Sequence, residues 1–522
     1  MIVDCSGERR LAGAGVQGRY HLPYALPLPL PPKTIKTEET SDVSLFTGKR
    51  VHLIGIGGSG MSGLAELIAH RGATCSGSDA SFGPTVERLL AAGIPVDLET
   101  DDAPQTLPPG CDLLIASAAI KSDHPLREAA RAKGIETLSY AEAVGRAQIG
   151  RTAVSIAGTH GKSTTTSMLA WVLRECDLDP SYIAGAVCPQ LGGGFRVGAE
   201  RLDTPNGGDR PGIFVAEACE FNRSFHHHRP MFGLINNIEE DHLDMYGSIE
   251  EIIEAFTEFA KLIPSKTNGG RLLIAHEGGH RREVTAGLTC DVSTIGFSPS
   301  ADYQVFFDTA ARRLGLLQDG VWLAQWTPHL PGEHNALNAA AAAVLASWLG
   351  AEWDAIAHAL STFKGVERRM EHLGDRPALR GGTVRLYDDY GHHPSECDLT
   401  LRALRAEEKP NRIICVFQPH QHSRTRFLLD EFANSFSRAD IVIVPPIFFV
   451  RDSEEEKRRI SSADLVDRLR ERGVAAMHLH PFEAIVEQLD VLCEDGDLVV
   501  TMGAGPVWQI GHAFLKCGLA RT

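Results

Sequence analysis

The stretch TAVSIAGTHGKSTTTS, residues 152–167, decides how this chain is read. An apolar run, Ala153–Ala157, opens onto Gly-Thr-His-Gly-Lys-Ser, and beyond it Met168, Leu169, Val172 and Leu173 recur at helical spacing. Strand, glycine turn and helix in that order form a phosphate-binding loop. The common loop has a glycine five positions before its Gly-Lys pair. Here Ile156 holds that place and the glycine comes later, at Gly158. The loop's shape changes but its chemistry does not: Lys162 stands at the turn to neutralise β- and γ-phosphates, and the Ser163 hydroxyl at the helix start suits Mg2+.

A phosphate loop needs further metal ligands at neighbouring strand ends. Glu217 closes the run GIFVAEA (212–218), and NNIEEDHLDMY (236–246), which contains His242, follows the run MFGLINN (231–237). Magnesium requires one or two protein groups besides phosphate and water, so Ser163, Glu217 and His242 would suffice. The cluster FHHHRP (225–230) is expected to pack or face solvent, because three consecutive histidines cannot point one way on a strand or helix.

A second glycine loop lies upstream. In VHLIGIGGSGMSGLAELIAHRG (51–72) a strand turns on Gly55, Gly57, Gly58 and Gly60, with Ser59 among them, and runs into a helix. Backbone N–H groups at such a turn suit a diphosphate. Asp79, 24 residues after Gly55, lies where a dinucleotide fold places the acid that meets its ribose. By itself this loop fits a nicotinamide or flavin dehydrogenase, or a turn that lets helix pack on sheet.

The rest of the chain alternates short apolar runs with helical stretches, as in parallel sheets with crossover helices. At 522 residues it exceeds one ordinary core. Composition shifts near Gly150 and Gly365 give three α/β domains over 47–149, 150–366 and 367–522, with a polar insertion at 199–212. Residues 1–46, rich in Pro and Thr and without periodicity, read as a flexible leader. Their start lacks the apolar stretch of a secretion signal, and ALNAAAAAVLASWLG (336–350) is too short to cross a bilayer, so no membrane partner is expected. With 51 Lys+Arg against 67 Asp+Glu the net charge is −16, which disfavours nucleic acid and anionic lipid and leaves anions to local sites. Eleven scattered cysteines, with no Cys-x-x-Cys pair, suggest neither a disulfide framework nor a zinc site, and point to the reducing cytoplasm.

Seven segments, GIGGSGMSGLA, AGTHGKSTT, NNIEEDHLDMYGS, LPGEHNALNAAAA, FKGVERRME, DDYGHHPSE and FQPHQHSRTR, together resemble the Mur ligases, in order from about residue 48 to the end. The resemblance implies a Rossmann-like UDP-sugar domain, a central P-loop ATPase domain and a Rossmann-like C-terminal domain. It implies that the loop of Gly158, Thr159, His160, Gly161, Lys162, Ser163 and Thr164 binds ATP, and that the first glycine loop holds a UDP-sugar, which removes the dehydrogenase reading. By likeness Lys162 and Arg369 reach the phosphates, and Ser163, Glu217 and His242 hold Mg2+. Asn335 and Asn338 lie beside adenine, Asp389 meets the ribose, and Tyr390, His392, His420 and Arg424 line the amino-acid side. Within the family the likeness is greatest to the branch that joins L-alanine to UDP-N-acetylmuramate through an acyl phosphate. A sibling that attaches a recycled tripeptide and a non-catalytic nucleotide sensor are the alternatives. His392 is the candidate base. Gln421-His422 stands where the family more often has Arg-Tyr, so Arg424 or Arg426 must supply the missing cation, and Met370 replaces a usual Phe.

Overall fold

The computed structural model describes residues 45–100, 106–204, 207–241 and 245–519. Residues 1–44 of the expected leader lie outside them, while Phe46, read with the leader, is buried in the first core.

Three sheets follow one another along the chain. The first is all parallel, in the order Val96–Leu98, Thr74–Asp79, Arg50–Ile54, Leu113–Ala116, Glu136–Ser139. The chain order reverses around the central strand Arg50–Ile54, so the glycine loop that follows it sits at the crevice where such sheets take ligands. The helix Ser59–His70 covers this sheet with Met61, Leu64, Leu67 and Ile68, and the same core takes in Ile183, Phe214 and Ala216 of the next sheet.

The second sheet has ten strands among the described residues, with Thr152–Ala157 between Phe232–Ile235 and Ile213–Glu217. Five of the six residues of Thr152–Ala157 are buried. A strand covered on both faces must be apolar throughout, which is why it reads as a run without alternation. One face is covered by the helices Lys162–Glu175 and Glu333–Trp348. Ala339 through Ala346 are buried, as are Thr164, Thr165 and Thr166 opposite, and these short side chains let the two helices approach closely. Trp171 ties the first of these to the next helix, Trp353–Thr362, by donating its indole N–H to Ala359 O, 2.9 Å away. The antiparallel strands Tyr303–Asp308, Arg313–Gln318 and Val321–Trp326 extend this sheet at one end. The insertion at 199–212 contains a short antiparallel pair, Arg201–Asp203 with Asp209–Pro211.

The third sheet runs Glu371–Pro377, Thr383–Asp389, Leu498–Met502, Ile413–Phe417, Ile441–Val444, Ala475–His478, parallel except for its first pair. Three α/β sheets in succession match the fold expected from the sequence. Among the described residues no helix is long and apolar enough to cross a membrane.

Candidate active site

The phosphate loop is shaped by two glycines. Gly161 precedes the helix Lys162–Glu175 at φ +82°, and Gly158 leaves the strand at φ +137°. Both lie in the region that only glycine enters at little cost. Space forbids a side chain as well: a Cβ on Gly161 would lie 2.5 Å from Asn338 Oδ1, and one on Gly158 would lie 2.9 Å from Asn236 Cβ. The displaced glycine thus serves close packing against the neighbouring strand end. Thr159 and His160 are held there too, since Thr159 N donates to Asn237 O at 3.1 Å and His160 N to Asn237 Oδ1 at 2.7 Å.

Lys162 folds back over the loop. Its Nζ donates to Gly158 O at 2.6 Å, Thr159 O at 3.0 Å and Glu220 Oε2 at 2.9 Å. Burial alone would lower this ammonium, but Glu220 and then Cys219 and Glu217 outweigh it and hold the pKa above the ordinary lysine value. The cation is therefore permanent, as a phosphate partner must be. Glu220 had no signal in the sequence except being an acid three residues after Glu217.

Ser163 and Glu217 are brought together by strand register. Glu217 pairs with Ile156, one strand over from the loop, and its Oε2 accepts from Ser163 Oγ at 2.8 Å and from Gly185 N at 2.6 Å. His242, the third expected ligand, lies outside the described residues. The histidine run packs, as expected: His228 is buried with its Nδ1 2.9 Å from Ser155 Oγ, and His226 Nε2 donates to Ala255 O.

A cavity between the second and third sheets is lined by His160, Thr164, Asn335, Asn338, Arg369 and Asp389. These residues are far apart in sequence, and only the fold gathers them. Thr165 Oγ1 lies 3.1 Å from Asn338 Oδ1, tying the alanine-rich helix to the loop helix. Asp389 ends its strand and accepts from Met370 N at 2.8 Å and Gly391 N at 2.6 Å. Burial pushes its carboxyl up to about 6 despite Arg369. Arg369 lies 3.4 Å from Glu396 and 4.8 Å over the Tyr390 ring.

The rings of Tyr390, His392 and His420 meet edge to face in succession, with centroids 5.3 and 5.7 Å apart. Burial lowers His392 to about 3 against the pull of Glu396, and lowers His420 to about 4 with the help of Arg424. Both are neutral at physiological pH. His392 Nδ1 donates to Tyr390 O at 3.2 Å, which leaves Nε2 with its lone pair.

Of the two candidate cations, Arg424 is the one in this cleft, 3.5 Å from His420 Nδ1, whereas Arg426 pairs with Glu456. Arg424 also donates to Asp241 Oδ1 at 2.6 Å. That contact belongs to a clasp: Ser395 Oγ donates to Glu239 Oε2 at 2.6 Å, and His393 Nε2 donates to Glu240 O at 2.9 Å. The acidic loop of the middle domain thus grips the C-terminal one, a role its sequence did not announce.

The first glycine loop turns at Gly55, whose N donates to Ser78 O, and leaves Gly58 and Ser59 exposed at the helix start, with Gly60 half-buried. Asp79 lies beside it, as expected, and accepts from Gly57 N at 2.7 Å. Tyr140 opens the helix Tyr140–Gln148 that follows the last strand of this sheet. Burial, with Glu217 and Cys219 near, pushes its phenol up.

Comparison with known proteins agrees with this arrangement. Residues 50–150 match the family model described as "Mur ligase family, catalytic domain", residues 156–346 the "Mur ligase middle domain", and residues 368–505 the "Mur ligase, glutamate ligase domain". A UDP-N-acetylmuramate–L-alanine ligase of Clostridium novyi is 38% identical over 473 residues, 90% of this chain and 97% of that protein. A ligase of the same name from Caldanaerobacter subterraneus is 34% identical over 484 residues, 91% and 99% of the two chains. Among solved structures, a UDP-N-acetylmuramate-alanine ligase from Thermotoga maritima superposes with a TM-score of 0.69 at 24% identity, covering 91% of this chain and all of that one, which speaks for the fold. With relatives this similar spanning nearly their whole length, the chain belongs to the Mur ligase family.

Proposed function

We propose that this protein joins L-alanine to UDP-N-acetylmuramate, cleaving ATP to ADP and phosphate, in the cytoplasmic synthesis of peptidoglycan precursors. The observation that carries the reading is one interdomain cavity lined by His160, Gly161 and Thr164 of the phosphate loop together with Asn335, Asn338, Arg369 and Asp389. The names of the full-length relatives support the substrates.

A carboxylate is a poor electrophile, so it must be activated before an amine can take it. In this reading a muramoyl carboxylate oxygen attacks the γ-phosphorus of ATP, ADP leaves, and an acyl phosphate forms. The alanine amine then attacks the acyl carbon, the amide forms, and phosphate leaves with the oxygen it took. Lys162 and Arg369 stabilise charge on the transferring group from fixed positions. The Ser163 hydroxyl and Glu217 carboxylate, hydrogen-bonded to each other at the loop, are the hard oxygen donors Mg2+ prefers. Mg2+ bound there would neutralise phosphate charge. His392, whose Nε2 carries the lone pair, is the group assigned to accept the proton the amine releases. Arg424 faces the amino acid's carboxylate.

The test is phosphate release from ATP with Mg2+ and UDP-N-acetylmuramate, comparing L-alanine, L-serine, glycine and the tripeptide L-Ala-γ-D-Glu-diaminopimelate. Release is expected to depend on L-alanine and to fall about 100-fold or more in Lys162→Ala, as when one preorganised donor is removed. Release with the tripeptide alone, or binding of both nucleotides without release, would overturn the reading.

A further inference from the structure

At the edge of the phosphate loop stands a group of side chains to which the ligase reading gives no chemical step. Among the described residues, His160, Glu239 and His393 each place one ligand atom within 4.8 Å of the others. His160 and Glu239 belong to the second sheet's loops, His393 to the turn before the helix Pro394–Glu408, so the group straddles two domains.

His160 is oriented as a metal ligand is, with its other ring nitrogen held by a neighbour. His160 Nδ1 lies 3.2 Å from Glu396 Oε1, which fixes that face of the ring. Its Nε2 is buried without a hydrogen-bond partner, 3.5 Å from Glu239 Oε2, on a side chain nine-tenths buried. His393 Nε2 donates to Glu240 O at 2.9 Å, and its Nδ1 lone pair caps the helix Pro394–Glu408 by accepting from Ser395 N at 3.3 Å, a contact that a metal would replace. Glu239 is steadied by Ser395 Oγ at 2.6 Å. Despite burial, Glu396 and Glu239 raise His160 to about 10, so its Nε2 carries a proton toward Glu239 across 3.5 Å, too far for a good hydrogen bond, and a dication held by the two groups would replace that proton.

We infer that His160, Glu239 and His393 form a site for a borderline transition-metal dication of the Zn2+ class, which staples the middle domain to the C-terminal domain. Two imidazoles and one carboxylate suit Zn2+ or Co2+ and are poor ligands for Mg2+, which seeks oxygen, so the site differs from that of Ser163 and Glu217. Binding displaces any proton on His160 Nε2 to solvent. Glu239 and Glu396 favour a proton there, and they attract a dication more strongly because the interaction scales with charge. The site is independent of the ligase reading, since metal binding needs no turnover.

Co2+, which has visible absorption where Zn2+ has none, is the probe, titrated into the full chain without nucleotide. One equivalent is expected to bind with a visible band free of thiolate character, to be displaced by Zn2+, and to persist in equimolar Mg2+. His393→Gln and Glu239→Gln are each expected to weaken binding by more than the roughly 10- to 100-fold that loss of an outer hydrogen-bond partner costs. Glu217→Gln, which disables the expected Mg2+ site, is expected to keep the band. Glu239 is on a loop outside the hydrophobic cores, so its variant reports even if His393→Gln fails to fold. No band, a band unchanged in Glu239→Gln, or one lost in Glu217→Gln would overturn the site.

Discussion

His228, His334, His392 and His420 are held neutral by burial, at about 3, 4, 3 and 4 respectively. In the unfolded chain each takes a proton near 6.5, so the unfolded state gains protons first as pH falls and stability drops. Asp389 works the other way: its carboxyl, raised to about 6 by burial, stays protonated in the folded chain after the unfolded one has released it, offsetting one of the four. Denaturant midpoints measured from about pH 7.5 to about pH 5 are therefore expected to fall, because the lowered histidines, which also include His52, His393 and His422, outnumber Asp389 and the His160 imidazolium that oppose them. A flat profile would mean that these rings are hydrated. At Gly161, substitution by alanine should cost about 1–2 kcal/mol for the left-handed backbone alone. The new methyl group must also displace Asn338, so a lower melting temperature and weaker ATP binding are expected together. An unchanged melt would show that the loop relaxes. Single residues such as Lys162, Ser163 and Glu217 were legible because loop chemistry demands those side chains at strand ends. Glu220 and Glu396 were not, because an acid's partner is set by which strands become neighbours.

At the scale of elements, the loop Glu239–Asp241 after the strand Phe232–Ile235 does more than precede the expected His242. Through Ser395, His393 and Arg424 it holds the helix Pro394–Glu408 and the turn of His422–Phe427. The Asp241–Arg424 pair is buried on both sides, with side-chain exposures of 8% and 7%. Removing one partner of such a pair strands the other charge, at a cost of about 3–5 kcal/mol in comparable cases. Asp241→Ala is therefore expected to loosen the C-terminal domain, seen as faster proteolysis between the second and third sheets. Equal proteolysis would show that the clasp carries little weight. The strand–loop–helix units were readable because runs buried on both faces are continuously apolar. The antiparallel strands Tyr303–Trp326 were missed because their half-exposed residues give weaker patterns, and the acidic clasp because two charged loops far apart in sequence carry no shared local signal.

In the proposed reaction the UDP-sugar is held at the first sheet's glycine loop, ATP at the second sheet's phosphate loop and the amino acid at the third sheet. A reaction that joins all three must bring the domains together and exclude water from the acyl phosphate. An ATP analogue and UDP-N-acetylmuramate together are expected to reduce the radius of gyration measured by X-ray scattering, and superimposable profiles would count against closure.

In the proposed mechanism the sugar's carboxylate is activated by the γ-phosphate of ATP, and the oxygen it gives up can be followed. The most direct measurement uses UDP-N-acetylmuramate labelled with oxygen-18 in that carboxylate and reads the mass of the phosphate released during L-alanine-dependent turnover. Transfer of one labelled oxygen to each phosphate is the predicted result. Phosphate released without label, at the same rate as amide formation, would contradict the mechanism.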